Sequence, residues 1–205
     1  MIKGDLISDL ELRLSAAKPS DDDSVNRRQI SDWIDLARDN YYASIIESRN
    51  FDRSLIHKEE ELPVLQKENT HNPTQYYVDL EFLPLHNKVN RGIIMVNTDS
   101  GNTVYEEDFE HMKELSNLLF SSPKSTNLAY YQEGNRIYFE GFTSLSYTEN
   151  KINVYYIPSE VDREASETDN YFLSPSDKDF VIKMAFEIGM QEMAQGDGDT
   201  ENDGE

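Results

Sequence analysis

Histidine is the side chain in this sequence best suited to metal or acid–base chemistry. The 205-residue chain has four histidines and no cysteine, which excludes disulfides, thiolate metal sites and cysteine nucleophiles. The separations of His57, His71, His86 and His111 match no pair of metal ligands on one helix, and no HExxH motif occurs. We interpret all four as surface or structural side chains.

Carboxylates are abundant, and two stretches resemble calcium-binding loops. In residues 97–101 the glycine comes one position early, so the ligand offsets of an EF-hand are not met. Residues 199–204 are followed by Glu205 alone, whereas an EF-hand needs ligands at fixed offsets and a closing glutamate at the twelfth position. The acids at 21–23 are more typical of a helix start than of a cation site. We therefore predict no metal and no cofactor.

Sequence signatures of catalysis are also missing. There is no GxSxG, Walker or GxGxxG motif, which removes the common acyl-transfer and nucleotide-binding classes. Pairs of carboxylates carry no information in a chain with 40 acidic residues. The sequence predicts a protein that is not an enzyme, and a hydrolase with a carboxylate site assembled by the fold stays as a minor alternative.

Tyrosine is the most suggestive residue type, with 12 copies beside a single tryptophan. Adjacent pairs occur at 41–42, 76–77, 130–131 and 155–156. Neighbours in a strand point to opposite faces, so the last three pairs place a ring on both sides of a predicted sheet. Ordinary sheet composition explains this pattern. The functional alternative is a partner on one face, because these residues are favoured at interfaces. The candidate interface residues are Trp33, Tyr41, Ile45, Tyr77, Tyr131 and Tyr156.

The charge of the chain limits its partners. The formal net charge is −21 and the mean hydropathy is −0.71, which argues against binding to nucleic-acid phosphates or anionic lipid. Residues 158–205 hold fourteen acids and three bases, a pattern typical of solvated loops and tails. We expect no membrane span and no signal peptide.

Two helices are predicted at the start of the chain. Leucines at four-residue intervals indicate an amphipathic helix over 4–15. A longer apolar stripe from Ile30 to Ile45 predicts a second helix over 22–46, capped by Asp22, Asp23 or Ser24. We expect the two to form an antiparallel hairpin over 4–49. The stripe is longer than the first helix can cover, so we expect Trp33 and Tyr41 to meet the sheet, another subunit, or both.

The rest of the chain predicts a sheet followed by one more helix. Residues 50–74 are polar and are expected to be an irregular surface excursion. Alternation and β-rich runs then predict a mostly antiparallel sheet in a body over 75–158, with a helix at about 106–120. An acidic loop over 159–175 leads to a C-terminal helix at 176–194 and an acidic, disordered-type tail at 195–205. The expected fold is α+β, with a single domain over 1–194.

Three stretches in this order resemble a known family. They are the short helix, acidic turn and long helix in Asp5–Leu14, Ser20–Ser24 and Arg28–Ile34; the hairpin Tyr130–Phe139; and the strand Ile152–Pro158 with its acidic loop and final helix. The order is similar to that of head–tail adaptor, or ring, proteins of podovirus-like tailed phages, including the crAss-like group. The resemblance covers mostly residues 1–49 and 125–195.

The resemblance implies a structural virion protein with no catalytic residues. Members form a ring, commonly of about twelve subunits, beneath the portal and around the DNA channel. The chain is then expected at the head–tail junction after synthesis in the bacterial cytoplasm, with the portal and other connector or tail proteins as partners. The DNA would pass without specific binding. The alternative is an acidic binding protein, such as a DNA mimic that inhibits a basic partner.

Overall fold

The computed structural model describes residues 1–17, 25–46, 52–69, 72–85, 92–107, 128–140, 151–161, 163 and 166–196. These residues form helices and a large, mostly antiparallel sheet, so the predicted α+β class is confirmed. The backbone divides into two compact units. The helical unit comprises 1–55, 86–90 and 159–205, and the sheet unit comprises 56–85 and 91–158. The single domain over 1–194 stays a prediction.

Three α-helices occur in the described part of the helical unit. They are α1 (Lys3–Ala17), α2 (Arg27–Ile45) and α3 (Lys178–Gly196), with a short 3-10 turn at Arg53–Leu55. The predicted start of α2 is wrong. The helix is capped by Asn26, whose side chain accepts a hydrogen bond from the Arg28 amide at 3.0 Å. Asparagine satisfies this free amide directly before the helix, and residues 18–24 lie outside the described part of the chain.

The main contact of Trp33 is with α3, which the sequence did not predict. The indole is 2% exposed and lies flat against Gly189, where an added Cβ would come within 2.6 Å of the ring carbon Cε3. The indole N–H donates to Glu192 Oε2 at 2.6 Å. The absence of a side chain at Gly189 therefore creates the space for the largest ring of the helical unit. Leu6, Ile7 and Leu10 of α1 are fully buried in the same unit.

The sheet unit has eight strands in its described residues. They are β1 (His57–Pro63), β2 (Leu65–Asn69), β3 (Asn72–Asp79), β4 (Ile93–Thr98), β5 (Thr103–Glu106), β6 (Ala129–Glu133), β7 (Arg136–Glu140) and β8 (Lys151–Tyr156). Their order in the sheet is β1-β8-β4-β5-β6-β7-β3-β2, and among these paired strands only β5 and β6 run parallel. The predicted hairpin at 128–140 is confirmed, with Gly134 at φ +61° in its turn.

The irregular excursion predicted for 50–74 is wrong, because β1, β2 and the start of β3 occupy most of it. Both edge strands of the sheet belong to this stretch. Edge strands carry charged side chains on their open sides, which prevents pairing with other chains. The glutamates and lysines of 57–69 therefore suit a sheet edge, although they lower intrinsic strand propensity.

The sheet is strongly curved. β1 and β2 lie at opposite ends of the strand order, yet only Val64 separates them in the chain. The edges of a flat sheet of this size would lie roughly 34 Å apart, whereas two residues span about 7 Å. The sheet must therefore roll until its edges meet. A bulge between Glu59 and Leu62, with Glu61 at φ 57°, bends β1 on the way to this corner.

The inner face of the rolled sheet holds the apolar core of the unit. Its buried members include Val78, Ile137, Ile152, Val154 and Tyr156. The tyrosine pairs divide between the two faces as predicted. Tyr76, Tyr130 and Tyr156 belong to the core, while Tyr77 and Tyr131 belong to a separate cluster on the other side.

Two predictions fall mainly outside the described residues. The helix at about 106–120 overlaps 108–127, which the structure does not describe, and Glu106 still belongs to β5. The tail prediction for 195–205 covers 197–205, also outside, while residue 196 ends α3. No helix within the described ranges is long and apolar enough to cross a membrane.

Candidate subunit interface

An exposed aromatic pair lies where α2 and α3 pack together. Phe180 of α3 is 61% exposed and stacks on Tyr41 of α2, with ring centroids 6.0 Å apart and an angle of 6° between the planes. Ile45, one turn further along α2, is half-buried. We call these three residues the helical patch. Of the predicted interface residues, the structure thus brings Tyr41 and Ile45 onto one surface, whereas Trp33 is buried against Gly189.

Two acidic side chains lie beside the helical patch. Asp177 accepts hydrogen bonds from the hydroxyls of Tyr41 at 3.4 Å and Tyr42 at 3.0 Å. Burial, together with the charge of Asp177, raises the pKa of the Tyr41 hydroxyl. Asp179 has an 87% exposed side chain and makes one long contact, 3.5 Å to Arg13. The patch is therefore an apolar centre with a polar, mainly acidic rim, which is the usual composition of a protein interface.

The predicted residues Tyr77 and Tyr131 lie on the outer face of the sheet, in a row with Tyr138. The Tyr131 and Tyr138 rings stack with centroids 5.0 Å apart, and Tyr77 lies 5.9 Å from Tyr138. The Arg136 guanidinium lies 5.0 Å from the Tyr77 ring and pairs with Asp79. Tyr131 and Tyr138 are more than 90% buried within the chain, so this row contributes mainly to internal packing.

Tyr156 is in the core and not at a surface. It is fully buried. Its hydroxyl donates a hydrogen bond to Glu59 and accepts one from the Phe82 amide at 3.1 Å. Burial, followed by the hydrogen bond to Glu59, raises the pKa of this hydroxyl well above its usual range. Its neighbour Tyr155 faces the other way and donates to Glu60 at 3.2 Å. The outward ring of this pair is therefore Tyr155.

A second exposed apolar surface was not predicted from the sequence. Tyr155 pairs with Met95 across β8 and β4, and Tyr105 lies on the neighbouring strand β5. Met95 is 39% and Tyr105 63% exposed. We call Met95, Tyr105 and Tyr155 the sheet patch. The alternation of β5 was the available sequence signal, but the turn at 99–102 and the helical pattern after it hid a strand of only four residues.

The side of α2 that faces away from Trp33 carries a buried network of charged and polar side chains. Lys3 Nζ lies 2.7 Å from Asp35 Oδ2, and both side chains are more than 90% buried. The Tyr171 hydroxyl donates to Asp35 Oδ1 at 2.9 Å. Burial raises the pKa of the Asp35 carboxyl to about 6, although the hydrogen bond and charge of Lys3 oppose this shift. Burial also raises the pKa of the Tyr171 hydroxyl.

The next turn of α2 binds the start of the acidic loop. Arg38 is fully buried and donates to Asp39 at 2.7 Å and to the Phe172 carbonyl at 3.0 Å. The Asp39 carboxylate also accepts hydrogen bonds from the Ser159 hydroxyl at 2.7 Å and from the Glu160 amide at 3.2 Å. The start of the loop is thus held against α2. At least one of its acidic side chains, that of Glu160, is buried and does not face solvent.

Glu160 shows most clearly that this loop is structural. It is fully buried, and its carboxylate accepts the Phe172 amide at 2.9 Å and Arg163 at 3.2 Å. A buried charge is tolerated only when it is paired and hydrogen-bonded, and Glu160 meets this condition within the loop itself. The network holds chain segments together. Within the described residues, no group of three or more His, Cys, Asp or Glu side chains could hold a metal ion.

The chain was compared with known proteins. A family model described as phage tail ring protein 2, of crAss-like phages, matches residues 5–205. Among curated proteins, none matches the chain. Because the family model spans nearly the whole sequence, the chain belongs to the crAss-like phage tail ring protein 2 family.

Proposed function

We propose that copies of this chain assemble into a ring through the helical patch. The observation that carries this proposal is Phe180, a large aromatic residue that is 61% exposed and ordered by stacking on Tyr41. Exposed aromatic surfaces with polar rims mark protein interaction sites. The family match supports ring assembly because the family is one of tail ring proteins.

The position we propose for the ring is the head–tail junction beneath the portal, where it joins head to tail and surrounds the DNA. The resemblance implies this position and a ring of about twelve subunits. Such a ring would carry a charge of about −250 from its net charge of −21 per chain, and an acidic channel repels phosphates so that DNA slides past. The portal and the neighbouring tail proteins are then its partners.

An acidic inhibitor is the less well supported function. A mimic of DNA needs exposed acids spaced like phosphates, whereas Glu160 and Asp39 are bonded inside the helical unit. Arg27 also pairs Glu11 and Glu167, with the nearest atoms 2.7 and 3.0 Å apart. These carboxylates of the helical unit are therefore occupied by hydrogen bonds and ion pairs within the chain, and they do not form a row of free charges.

The first experiment compares the assembly of matched surface variants. Phe180→Asp places a charge at the centre of the helical patch, and Leu12→Asp places one at an equally open leucine of α1, which is 71% exposed. By sedimentation velocity, with and without purified portal, we expect the wild type and Leu12→Asp to form large symmetric particles. Phe180→Asp should stay monomeric with unchanged thermal stability.

The opposite results would reject the proposal. A wild type that stays monomeric at high concentration and ignores the portal would exclude ring assembly by this chain. A Phe180→Asp protein that forms the same particles as the wild type would exclude the helical patch as the contact. Negative-stain electron microscopy of the same samples counts the subunits and shows whether the ring stacks on the portal.

A further inference from the structure

We propose that the sheet patch is the surface that receives the helical patch of the neighbouring copy in the ring. This inference rests on the proposed ring. A closed ring of identical chains repeats one rotation, so each subunit must offer two unlike surfaces, one to the copy before it and one to the copy after it. The helical patch supplies one of them, and the sheet patch is an exposed apolar surface on different elements.

The register of the sheet makes the sheet patch one continuous surface. Tyr155 pairs with Met95, and Val96 pairs with Val104. Val96 and Val104 point to the core, so the adjacent position on each strand, Met95 and Tyr105, faces outwards. Side chains directly opposite on neighbouring strands have Cβ atoms about 5 Å apart. Three side chains therefore form a row across β8, β4 and β5.

The chemistry of the two patches is complementary. Phe180 projects from α3 with most of its ring open, whereas the sheet patch is a broad row of two tyrosines and a methionine. Aromatic rings pack favourably on one another, and thioether sulfur packs favourably on ring edges. Each tyrosine also keeps a hydroxyl at the rim; that of Tyr155 already donates to Glu60 at 3.2 Å.

The sheet patch and the helical patch each have an exposed charged residue beside them, and the two charges are of opposite sign. Lys58 is opposite Tyr155 in the register of β1 and β8, is exposed, and forms no ion pair in the part of the chain that the structure describes. The other lysine on this side, Lys151, is already paired with Glu61 at 2.5 Å. Asp179, beside Phe180, has an 87% exposed side chain. A second copy of the chain thus offers an acid where the sheet patch offers an unpaired cation.

A mixing experiment tests the pairing of the two patches. Phe180→Asp disrupts the helical patch and leaves the sheet patch intact. Tyr105→Asp disrupts the sheet patch and leaves the helical patch intact. Each variant alone should be monomeric. An equimolar mixture should form a 1:1 dimer and nothing larger, because only one good contact is left between the two chains. Leu65→Asp, at a 38% exposed leucine of β2, is the control and should assemble like the wild type.

The outcomes separate this inference from the proposed function. If the wild type forms rings but the mixture stays monomeric, or if either variant dimerises alone, the pairing is wrong while ring assembly stands. If Tyr105→Asp assembles like the wild type, the sheet patch is not an interface. If the wild type itself forms no assembly, the proposed function fails, and this inference fails with it.

A charge exchange tests the orientation of the contact. Lys58→Glu should weaken assembly several-fold, and adding Asp179→Lys in the same chain should restore it. Lys58 and Asp179 are both exposed, so thermal stability is expected to stay unchanged. A double variant that assembles no better than Lys58→Glu alone would overturn the proposed apposition of the two rims.

Discussion

The interiors of the two units differ in chemistry. The sheet unit is filled with apolar and aromatic side chains, such as Ile137, Ile152 and Val154, all fully buried. The helical unit buries Trp33 and leucines on one side of α2, but Lys3 and Arg38 are equally buried in contacts with the other side. An apolar core tolerates small changes of position, whereas a buried network of charges requires each partner in its place.

This difference explains how an irregular segment is positioned. The described residues of 159–174 form no helix or strand, so their backbone groups need other partners. Asp39 and Glu160 supply these partners by accepting amides from the segment itself. We infer that the polar side of α2 holds this segment in place before α3, and with it the place of Phe180.

The largest expected effect comes from removing a charge of the network. Arg38→Ala leaves Asp39 buried without its cation and removes the bond to the Phe172 carbonyl. Breaking a buried pair on one side typically costs about 3–5 kcal/mol. We expect a loss of this size in the free energy of unfolding by urea titration, with faster amide exchange over 159–174.

The control for this change is Arg28→Ala, an exposed arginine on the same helix. Its effect should stay within about 0.5 kcal/mol, as is usual for surface positions. Equal effects of the two substitutions would show that the network does not stabilise the helical unit.

The second prediction concerns pH. The pKa of Asp35 is raised by burial to about 6 in the folded chain, from 3.8, so between these values the folded state binds a proton that the unfolded state has lost. The stability from this group is present below about pH 4 and is lost as the pH rises through 6. The free energy of unfolding of Asp35→Asn, measured relative to that of the wild type, should therefore rise by up to about 3 kcal/mol as the pH increases from 4 to 7.

Denaturant titrations of both proteins at several pH values measure this difference. Tyr155→Phe in the sheet unit should leave the pH dependence unchanged, which makes it the matched control. A constant difference between Asp35→Asn and the wild type over this range would contradict the account of Asp35.

The third prediction tests the packing of α2 on α3. Gly189→Ala places a methyl group 2.6 Å from the Trp33 ring, and overpacking typically costs about 1–3 kcal/mol. We expect a net loss of up to about 2 kcal/mol in the free energy of unfolding, because alanine favours the helix over glycine by about 1 kcal/mol. Trp33→Phe in the same chain makes room and should recover part of the loss. A double variant that is no more stable than Gly189→Ala would show that the ring does not set this limit.

The smallest effect is expected in the sheet unit. Tyr156→Phe keeps the ring in the apolar core and removes a hydroxyl that donates to Glu59 and accepts the Phe82 amide. We expect a loss of about 1 kcal/mol by thermal denaturation, the usual net value of a hydrogen bond. Tyr155→Phe, with its exposed hydroxyl bond, should cost less. The reverse order would mean that the assignment of the two rings to the faces is wrong.

Local patterns in the sequence predicted much of the fold. The four-residue spacing of leucines predicted α1, and the turn at Gly134 predicted the β6–β7 hairpin. The tyrosine pairs predicted that rings lie on both faces of the sheet, because alternation in a strand depends only on neighbouring residues. They did not predict which ring of a pair faces the core, and Tyr156, a candidate interface residue, is buried there. Tyr41 was predicted as a candidate interface residue, and the structure adds Phe180 as its stacking partner.

Features that depend on distant residues could not be predicted. Trp33 and Gly189 meet through the packing of two helices, and a lone glycine in a helix carries no signal of its partner. β1 and β2 were missed because their glutamates and lysines suit a loop as well as an edge strand. Arg38 and Asp39 resemble ordinary surface charges in sequence, and only the fold shows that they bind 159–160.

The most direct test of the central claim is a cryo-electron microscopy map of the assembled wild-type protein. The account predicts a closed ring in which Phe180 of each subunit is buried against Met95, Tyr105 and Tyr155 of the next. A ring in which Phe180 faces solvent, or contacts its own symmetry mate, would contradict it.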